Sequence, residues 1–273
     1  LSTADRRRFS VALKKLLPID SIIDDADRLV VYESDALNAH REIPWIVVLP
    51  DSISQVQEIM KLCSEYQVPV VARGAGTGLS GGAMPSSDGI GLGLAKFNSI
   101  LAIDRDNLTA RVEPGVTNLA VSDHVRPLGL YYAPDPSSQI ACTIGGNIAE
   151  NAGGVHCLKY GLTVHNVLQL KVVTPSGELI TIGSTALDSS GYDLLATMIG
   201  SEGMLGVVVE VTVKLLPIPQ TAKLVMAAFK SVVEAGDAVS AIISRGIIPA
   251  GLEMMDRMAT KAVEEFVQVG YPL

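Results

Sequence analysis

Arg73-Gly74-Ala75-Gly76-Thr77-Gly78-Leu79-Ser80-Gly81-Gly82 is the stretch on which the reading of this chain turns. It follows an apolar run at residues 68–72, and five of the nine residues at 74–82 are glycine. Glycine loses the most backbone entropy on folding, so such density beside a strand signals positive φ or a ligand that approaches the main chain closely. Successive N–H groups in a loop of this kind make a concave anion site suited to a diphosphate, with the Thr77 and Ser80 hydroxyls as further donors. The spacing from Gly76 to Gly81 matches G-x-G-x-x-G, but that fingerprint needs its last glycine to enter an apolar helix. Here residues 83–89 read Ala-Met-Pro-Ser-Ser-Asp-Gly, a turn-rich segment, and no Gly-Lys-Ser/Thr follows. A nicotinamide-type Rossmann site and an ATP-type phosphate loop are therefore both rejected.

Outward from the loop, the pattern is mixed helix and strand. Residues 45–49 are apolar, and Ser52 with Gln55 reads as a capping box before a helix carrying Val56, Ile59, Met60 and Cys63 on one stripe. This strand, helix, strand unit has a connection long enough to make its strands parallel. Two hairpins are expected downstream, at residues 100–104 with 109–113 and at 168–173 with 178–182. Val207, Val209, Val211, Val213 and Leu215 alternate with Glu210, Thr212 and Lys214, the pattern of a half-buried strand. Pro217 and Pro219 then break regular structure and mark the expected boundary between a domain at 1–218 and a second at 219–273. In the second, strands are expected at 224–229 and 252–255, with a helix opened by Ser231 and Glu234 and closed by Gly246. Met254, Met255 and Met258 are expected in its core. Leu1 in the place of an initiator Met, and a sheet that is only half built, lead to the expectation that this second domain is incomplete.

Composition narrows the function classes. A chain of 273 residues, 48% hydrophobic and 18% charged, is folded rather than disordered, and two domains are the better expectation. No run approaches about 18 uncharged apolar residues, and the polar start with Arg6, Arg7 and Arg8 is no secretory signal. Those arginines read as a solvated helix face. A net charge of −8 disfavours nucleic acid and direct membrane binding as partners. Cys63, Cys142 and Cys157 form no Cys-x-x-Cys pair, so neither a disulfide framework nor a metal site is expected. A reducing, cytoplasmic location fits.

Glycine clusters recur. Tyr132-Ala133-Pro134-Asp135-Pro136-Ser137-Ser138 precedes Thr143-Ile144-Gly145-Gly146-Asn147, then Asn151-Ala152-Gly153-Gly154 and Lys159-Tyr160-Gly161. Gly200-Ser201-Glu202-Gly203 and Gly206 close the set. The 145, 146, 153 and 154 glycines allow backbone to lie against a planar group, while Thr143 and Asn147 offer the mixed donors and acceptors of a flavin edge. The loop at 143–147, and more weakly Lys159, could stabilise negative charge developing there. Among the histidines, His156 is the better weak candidate for touching flavin or substrate, ahead of His165. Glu202 reads as a cap or a brace of the glycine loop, and Cys142 and Cys157 as packing residues.

Residues 73–82, 134–147, 151–161 and 200–208 together resemble the FAD-binding domain of the vanillyl-alcohol oxidase and p-cresol methylhydroxylase family. Within it they are most similar to the FAD-linked subunits of glycolate oxidases. The resemblance implies an α+β fold: a two-subdomain FAD-binding domain of the p-cresol methylhydroxylase type, followed by the start of a ferredoxin-like cap. It implies that residues 73–82 wrap the FAD diphosphate and that Pro134, Asp135, Ser137, Thr143, Ile144, Gly145 and Asn147 meet the flavin. Gly153, Gly154, Tyr160, Gly161 and Glu202 belong to the same cofactor-binding set, and Gly203, Gly206, Val207 and Val208 border the adenine. Covalent members often carry a histidine where Gly76-Thr77-Gly78 stands, so FAD is expected to be non-covalent.

The implied reaction is oxidation of a small 2-hydroxy acid, glycolate or D-lactate, with electrons leaving to a non-NAD acceptor. Related flavin-type and iron–sulfur subunits at the inner face of the membrane are the implied partners. The main catalytic residues, and any metal, are expected after Leu273, which makes this stretch alone a poor catalyst. A non-catalytic scaffold subunit, or the same fold acting on 2-hydroxyglutarate or an alkyl-glycerone phosphate, are the competing readings.

Overall fold

The computed structural model describes residues 2–186, 189 and 191–272. Its first layer begins with α1 (Thr3–Leu16), β1 (Ile22–Ile23), α2 (Ala26–Leu29), β2 (Ile46–Val48), α3 (Ile53–Tyr66), β3 (Val70–Arg73) and β4 (Ile90–Gly93). The sheet order is β1-β2-β4-β3, with β4 parallel to both β2 and β3. The expected parallel relation of the two strands flanking α3 is present, and β4 is the strand that lies between them. Val56, Ile59, Met60 and Cys63 of α3 bury against Phe9 and Leu13 of α1 and against Val48 and Leu92 of the sheet. The expected capping box is only half formed. Gln55 Oε1 accepts the Asp51 N–H at 2.8 Å, while the Ser52 hydroxyl caps nothing and pairs with Ser54 instead.

The second layer contains β5 (Ile100–Asp104), β6 (Thr109–Val112), α4 (Asn118–Val125), β7 (Leu130–Tyr131), α5 (Ile144–Glu150), α6 (Cys157–Tyr160) and α7 (Thr163–Asn166). It continues through β8 (Val167–Val173), β9 (Leu179–Gly183), α8 (Leu194–Met198), β10 (Val207–Lys214) and β11 (Leu216–Pro217). Both expected hairpins form, in a five-stranded antiparallel sheet of order β5-β6-β10-β8-β9. β10 is not the half-buried strand its alternation suggests. As the central strand it is covered on both faces, and Glu210, only 8% exposed, is paired with Lys171 at 3.0 Å and Arg111 at 3.4 Å. Ion pairing allows a charged residue there. A register shift between Val208 and Glu210 lets Val207 and Val209 join the first core, whereas Val211 and Val213 join the second. β10 therefore ties the two layers together beside the glycine loop.

Beyond β11 the helices α9 (Val232–Ser244) and α10 (Arg257–Val267) form with the expected serine cap: Ser231 Oγ accepts the Glu234 N–H. The expected strands at 224–229 and 252–255 are not formed. A strand needs a neighbour to pair its N–H and C=O groups, and neither segment finds one among the described residues. Leu224 is 96% exposed and Met258 83%, so the methionines are surface residues, contrary to the packing role expected of them.

Of the three N-terminal arginines, Arg7 and Arg8 are solvated as expected. Arg6 instead sits over the Trp45 ring and pairs with Asp88. No helix among the described residues is long and apolar enough to cross a membrane.

Candidate cofactor site

The glycine loop leaves the carboxyl end of β3, which is where open parallel sheets place their ligands. No helix follows it; residues 83–89 run as turns to β4, consistent with the rejected Rossmann reading. Among the described residues, none of the nine backbone N–H groups from Gly74 to Gly82 donates to a protein acceptor. Seven of these residues, 74–79 and Gly82, line a cleft, and a run of unpaired main-chain donors beside a cleft is the makeup of an anion-binding concavity.

That cleft has a volume of about 320 Å³ and is walled by three segments. Residues 72–79 with Gly82 and Ala83 form one wall, Pro136, Ser137 and Ser138 with Thr143 and residues 145–150 a second, and Ser201, Glu202, Gly203, Gly206, Val207 and Val208 a third. Among the described residues Arg73 is the one cation lining it, against Asp35, Glu150 and Glu202. Amides rather than basic side chains must therefore carry a diphosphate. A larger groove of about 790 Å³ lies between α1 and α3, but flexible charged side chains such as Arg7, Lys15, Lys61 and Glu65 line it and no glycine segment reaches it.

The glycines divide by what a Cβ would meet. At Gly74 it would collide with Thr143 Oγ1, at Gly145 with Pro114 Cβ at 2.8 Å, at Gly153 with Cys157 Sγ at 2.5 Å, and at Gly154 with the Asp135 backbone. These four let protein segments touch each other; Gly145 also lines the cleft, whereas Gly153 and Gly154 lie outside its lining. At Gly78 the nearest atom is Glu150 Oε1 at 3.7 Å, and at Gly203 nothing lies within 4 Å. Both positions are open, but the φ of +75 at Gly203 itself favours glycine, so Gly78 is the one of the two where neither packing nor backbone conformation requires it.

The expected loop at 143–147 is the start of α5, with Thr143 as its N-cap accepting from Gly146 N–H. Ile144 is fully buried in the second core. Asn147 is engaged internally: its Oδ1 accepts from Asn118 Nδ2 at 2.9 Å and its Nδ2 donates to Cys142 Sγ. Ser80 is engaged too, donating to Glu150 Oε2 at 2.8 Å, whereas Thr77 lines the cleft. Pro134, Asp135, Ser80, Gly81, Ile144, Gly153, Gly154, Tyr160 and Gly161 lie outside the cleft lining. Lys159 also lies outside it, over the Tyr160 ring.

Asp135 and His156 form a pair: Asp135 Oδ2 meets His156 Nδ1 at 2.6 Å, and Asp135 Oδ1 is 3.4 Å from the His156 N–H. His165 instead caps its own turn, its Nδ1 accepting from Leu162 N–H. Burial, then the neighbouring Tyr160, pushes the Tyr131 phenol well above its ordinary value.

Sequence reading missed Glu150, Asp35 and Ser201. Glu150 stands directly before Asn151 and was legible from that adjacency. Asp35 has no local motif, and only folding brings it to the loop.

A two-layer α+β domain whose cleft is floored by free main-chain amides defines a nucleotide-cofactor-binding protein. The chain belongs to the FAD binding domain family, whose model matches residues 44–183, and the model for the C-terminal domain of FAD linked oxidases matches residues 218–272. FAD is thus the cofactor of this family, and the residues that line the cleft fit that group through their unpaired donors and the open position at Gly78. The chain is 56% identical to the glycolate oxidase subunit GlcD of Escherichia coli (strain K12) over 273 residues, 100% of this chain and 55% of that protein. It is 44% identical to GlcD of Bacillus subtilis over 249 residues, 91% of this chain and 53% of that one. It is 38% identical to a D-lactate dehydrogenase of Archaeoglobus fulgidus over 222 residues, covering 81% and 49%. The chain spans about half the length of these curated relatives. Its fold is shared with alkyldihydroxyacetonephosphate synthase (TM-score 0.77, 24% identity, 90% of this chain and 47% of that one). It is shared also with p-cresol methylhydroxylase (TM-score 0.74, 22% identity, 89% and 50%).

Proposed function

We propose that this chain forms the FAD-binding part of an enzyme that oxidises a small 2-hydroxy acid, glycolate or D-lactate, and passes electrons to an acceptor other than NAD. The observation that carries the cofactor half is the row of unpaired amides from Gly74 to Gly82, most of it lining the cleft. The substrate half is supported by relatives that are glycolate oxidase subunits and D-lactate dehydrogenases. FAD, when bound, supplies the hydride acceptor.

The chain's own residues divide the remaining work. The amides of residues 74–82 hold a diphosphate without bringing in a competing basic side chain, and Gly78 and Gly203 leave it room. Ser137, Thr143, Gly145, Val207 and Val208 wall the cleft against water. Asp135 holds the Nδ1 side of His156 next to the Pro136 and Ser137 wall of the cleft but outside its lining. Residues 1–218 act as the cofactor domain and 219–273 as the beginning of the cap. Flavin-type and iron–sulfur subunits are the proposed partners, and through them the protein sits at the cytoplasmic face of a membrane.

The test is anaerobic titration of the purified intact protein. Flavin absorbance that bleaches with glycolate or D-lactate supports the proposal; flavin that neither acid reduces removes the substrate assignment.

A further inference from the structure

Asp35 is 6% exposed, yet its Oδ2 is buried with no hydrogen-bond partner; its Oδ1 accepts the Leu37 N–H at 2.8 Å. A buried, half-satisfied carboxylate is costly and is retained where it acts on something nearby. Arg73 lines the same cleft and lies within reach of the Asp35 charge, though the two form no direct ion pair. Its guanidinium stacks over the Tyr32 ring at 5.6 Å and donates to the Ala83 carbonyl at 3.3 Å, and it packs so closely behind Gly76 that a Cβ there would lie 2.5 Å from Nη2. Gly76 has φ +69, a conformation side chains resist, so the loop is bent over the guanidinium.

One side chain thus joins the first residue of the glycine segment to the residue just after it. A second tie runs from the Ala36 N–H to the Gly78 carbonyl at 3.1 Å, which fixes the segment carrying Asp35 to the middle of the loop. Burial pulls the Arg73 pKa down, and the Asp35 charge opposes that, keeping the guanidinium cationic. Asp35 and Tyr32 both lie before residues 44–183, the part matched by the FAD binding domain model.

We infer that Asp35 is a positioning residue for the cofactor: by its charge it seats Arg73 behind the glycine loop, and this brace aims the amides of residues 74–82 into the cleft. Arg73 accordingly serves the diphosphate from behind the loop, as a strut. The inference rests on the proposed FAD site and adds to it the upstream segment that presets its loop.

The experiment is a double-mutant cycle on FAD affinity in the intact protein, with Asp35→Asn, Arg73→Gln and the pair, read by flavin fluorescence. Asp35→Asn keeps an oxygen for the Leu37 N–H and removes only the charge. Each single change should weaken FAD binding about 10-fold, the size of a typical coupling of about 1.4 kcal/mol between two sites. The double variant should be no weaker than the worse single one, because both act through one brace. Arg73→Lys, which keeps the charge but loses the planar fork, should recover part of the loss.

An Asp35→Asn affinity within twofold of wild type overturns the inference, as does a double variant whose loss equals the product of the singles. Should Asp35→Asn not fold, Asp35→Ser makes the same test. Failure of both to fold assigns the carboxylate to the fold at large and overturns the inference as well. A wild-type protein that binds no FAD sinks the cofactor site itself, a distinguishable result.

Discussion

Replacing Gly78 with valine separates cofactor space from packing space. A Cβ at this position meets nothing nearer than Glu150 Oε1 at 3.7 Å, and its φ lies outside the left-handed region, so the protein itself has no objection to a side chain. The added carbons extend into a cleft of about 320 Å³, beside the amides assigned to the diphosphate. Overfilling a fitted site costs about 1–3 kcal/mol. At tenfold per 1.4 kcal/mol, the FAD Kd should rise about 5- to 150-fold.

The melting temperature without FAD should move by less than about 2 °C, the size of an ordinary surface change. Gly153→Val is the contrast, since its Cβ would meet Cys157 Sγ and Leu162 Cδ2 at 2.5 Å; it should lower the melting temperature of the FAD-free protein. The assays are flavin fluorescence titration and circular-dichroism melting. Gly78→Val with wild-type FAD affinity and an unchanged melt would refute the placement of the diphosphate.

Other predictions follow from particular contacts. Thr143→Val removes the oxygen that caps α5 at Gly146 N–H, so thermal unfolding should drop by roughly 2–4 °C for a loss near 1 kcal/mol. Glu202 lies beside Gly82, and Glu202→Gln should tighten FAD binding about two- to fivefold at low salt, with the gain fading as salt screens the carboxylate; a gain that persists at high salt would contradict a charge effect. Burial pushes the Cys63 thiol up to about 12 from 9.0. The folded state then holds the proton more tightly, so this contribution to stability is complete below pH 9 and is lost as pH climbs from 9 toward 12; Cys63→Ala should flatten that part of the melting curve against pH. Cys63 should also resist alkylation in native protein at pH 8 and react on unfolding.

The sequence made the first layer legible because its signals are local: the stripe on α3, the apolar runs of β2 and β3 and the glycine run between β3 and β4. The hairpins were equally legible from alternation and turn residues. β10 was misjudged because Glu210 looks solvent-facing until Lys171 and Arg111 are brought across from β8 and β6. The expected strands after Pro219 failed for the complementary reason, since strand character without a pairing neighbour makes no strand. At the site, glycine density located the loop and the cleft walls, but it could not distinguish Gly78, which leaves space, from Gly153, which lets two protein segments meet. Ile144 was assigned to the cofactor by adjacency and is held by the interior, whereas Asn147 lines the cleft while its amide is engaged by Asn118 and Cys142. Asp35 and the Asp135–His156 pair depend on contacts between distant segments and have no sequence signature of their own.

Amide hydrogen exchange of the intact protein with and without FAD addresses the nine free N–H groups most directly. They should exchange rapidly in the empty protein and become protected on loading, residues 74–82 more than the turns at 83–89. Saturation with FAD that leaves residues 74–82 as fast as before, while another segment becomes protected, would contradict the account.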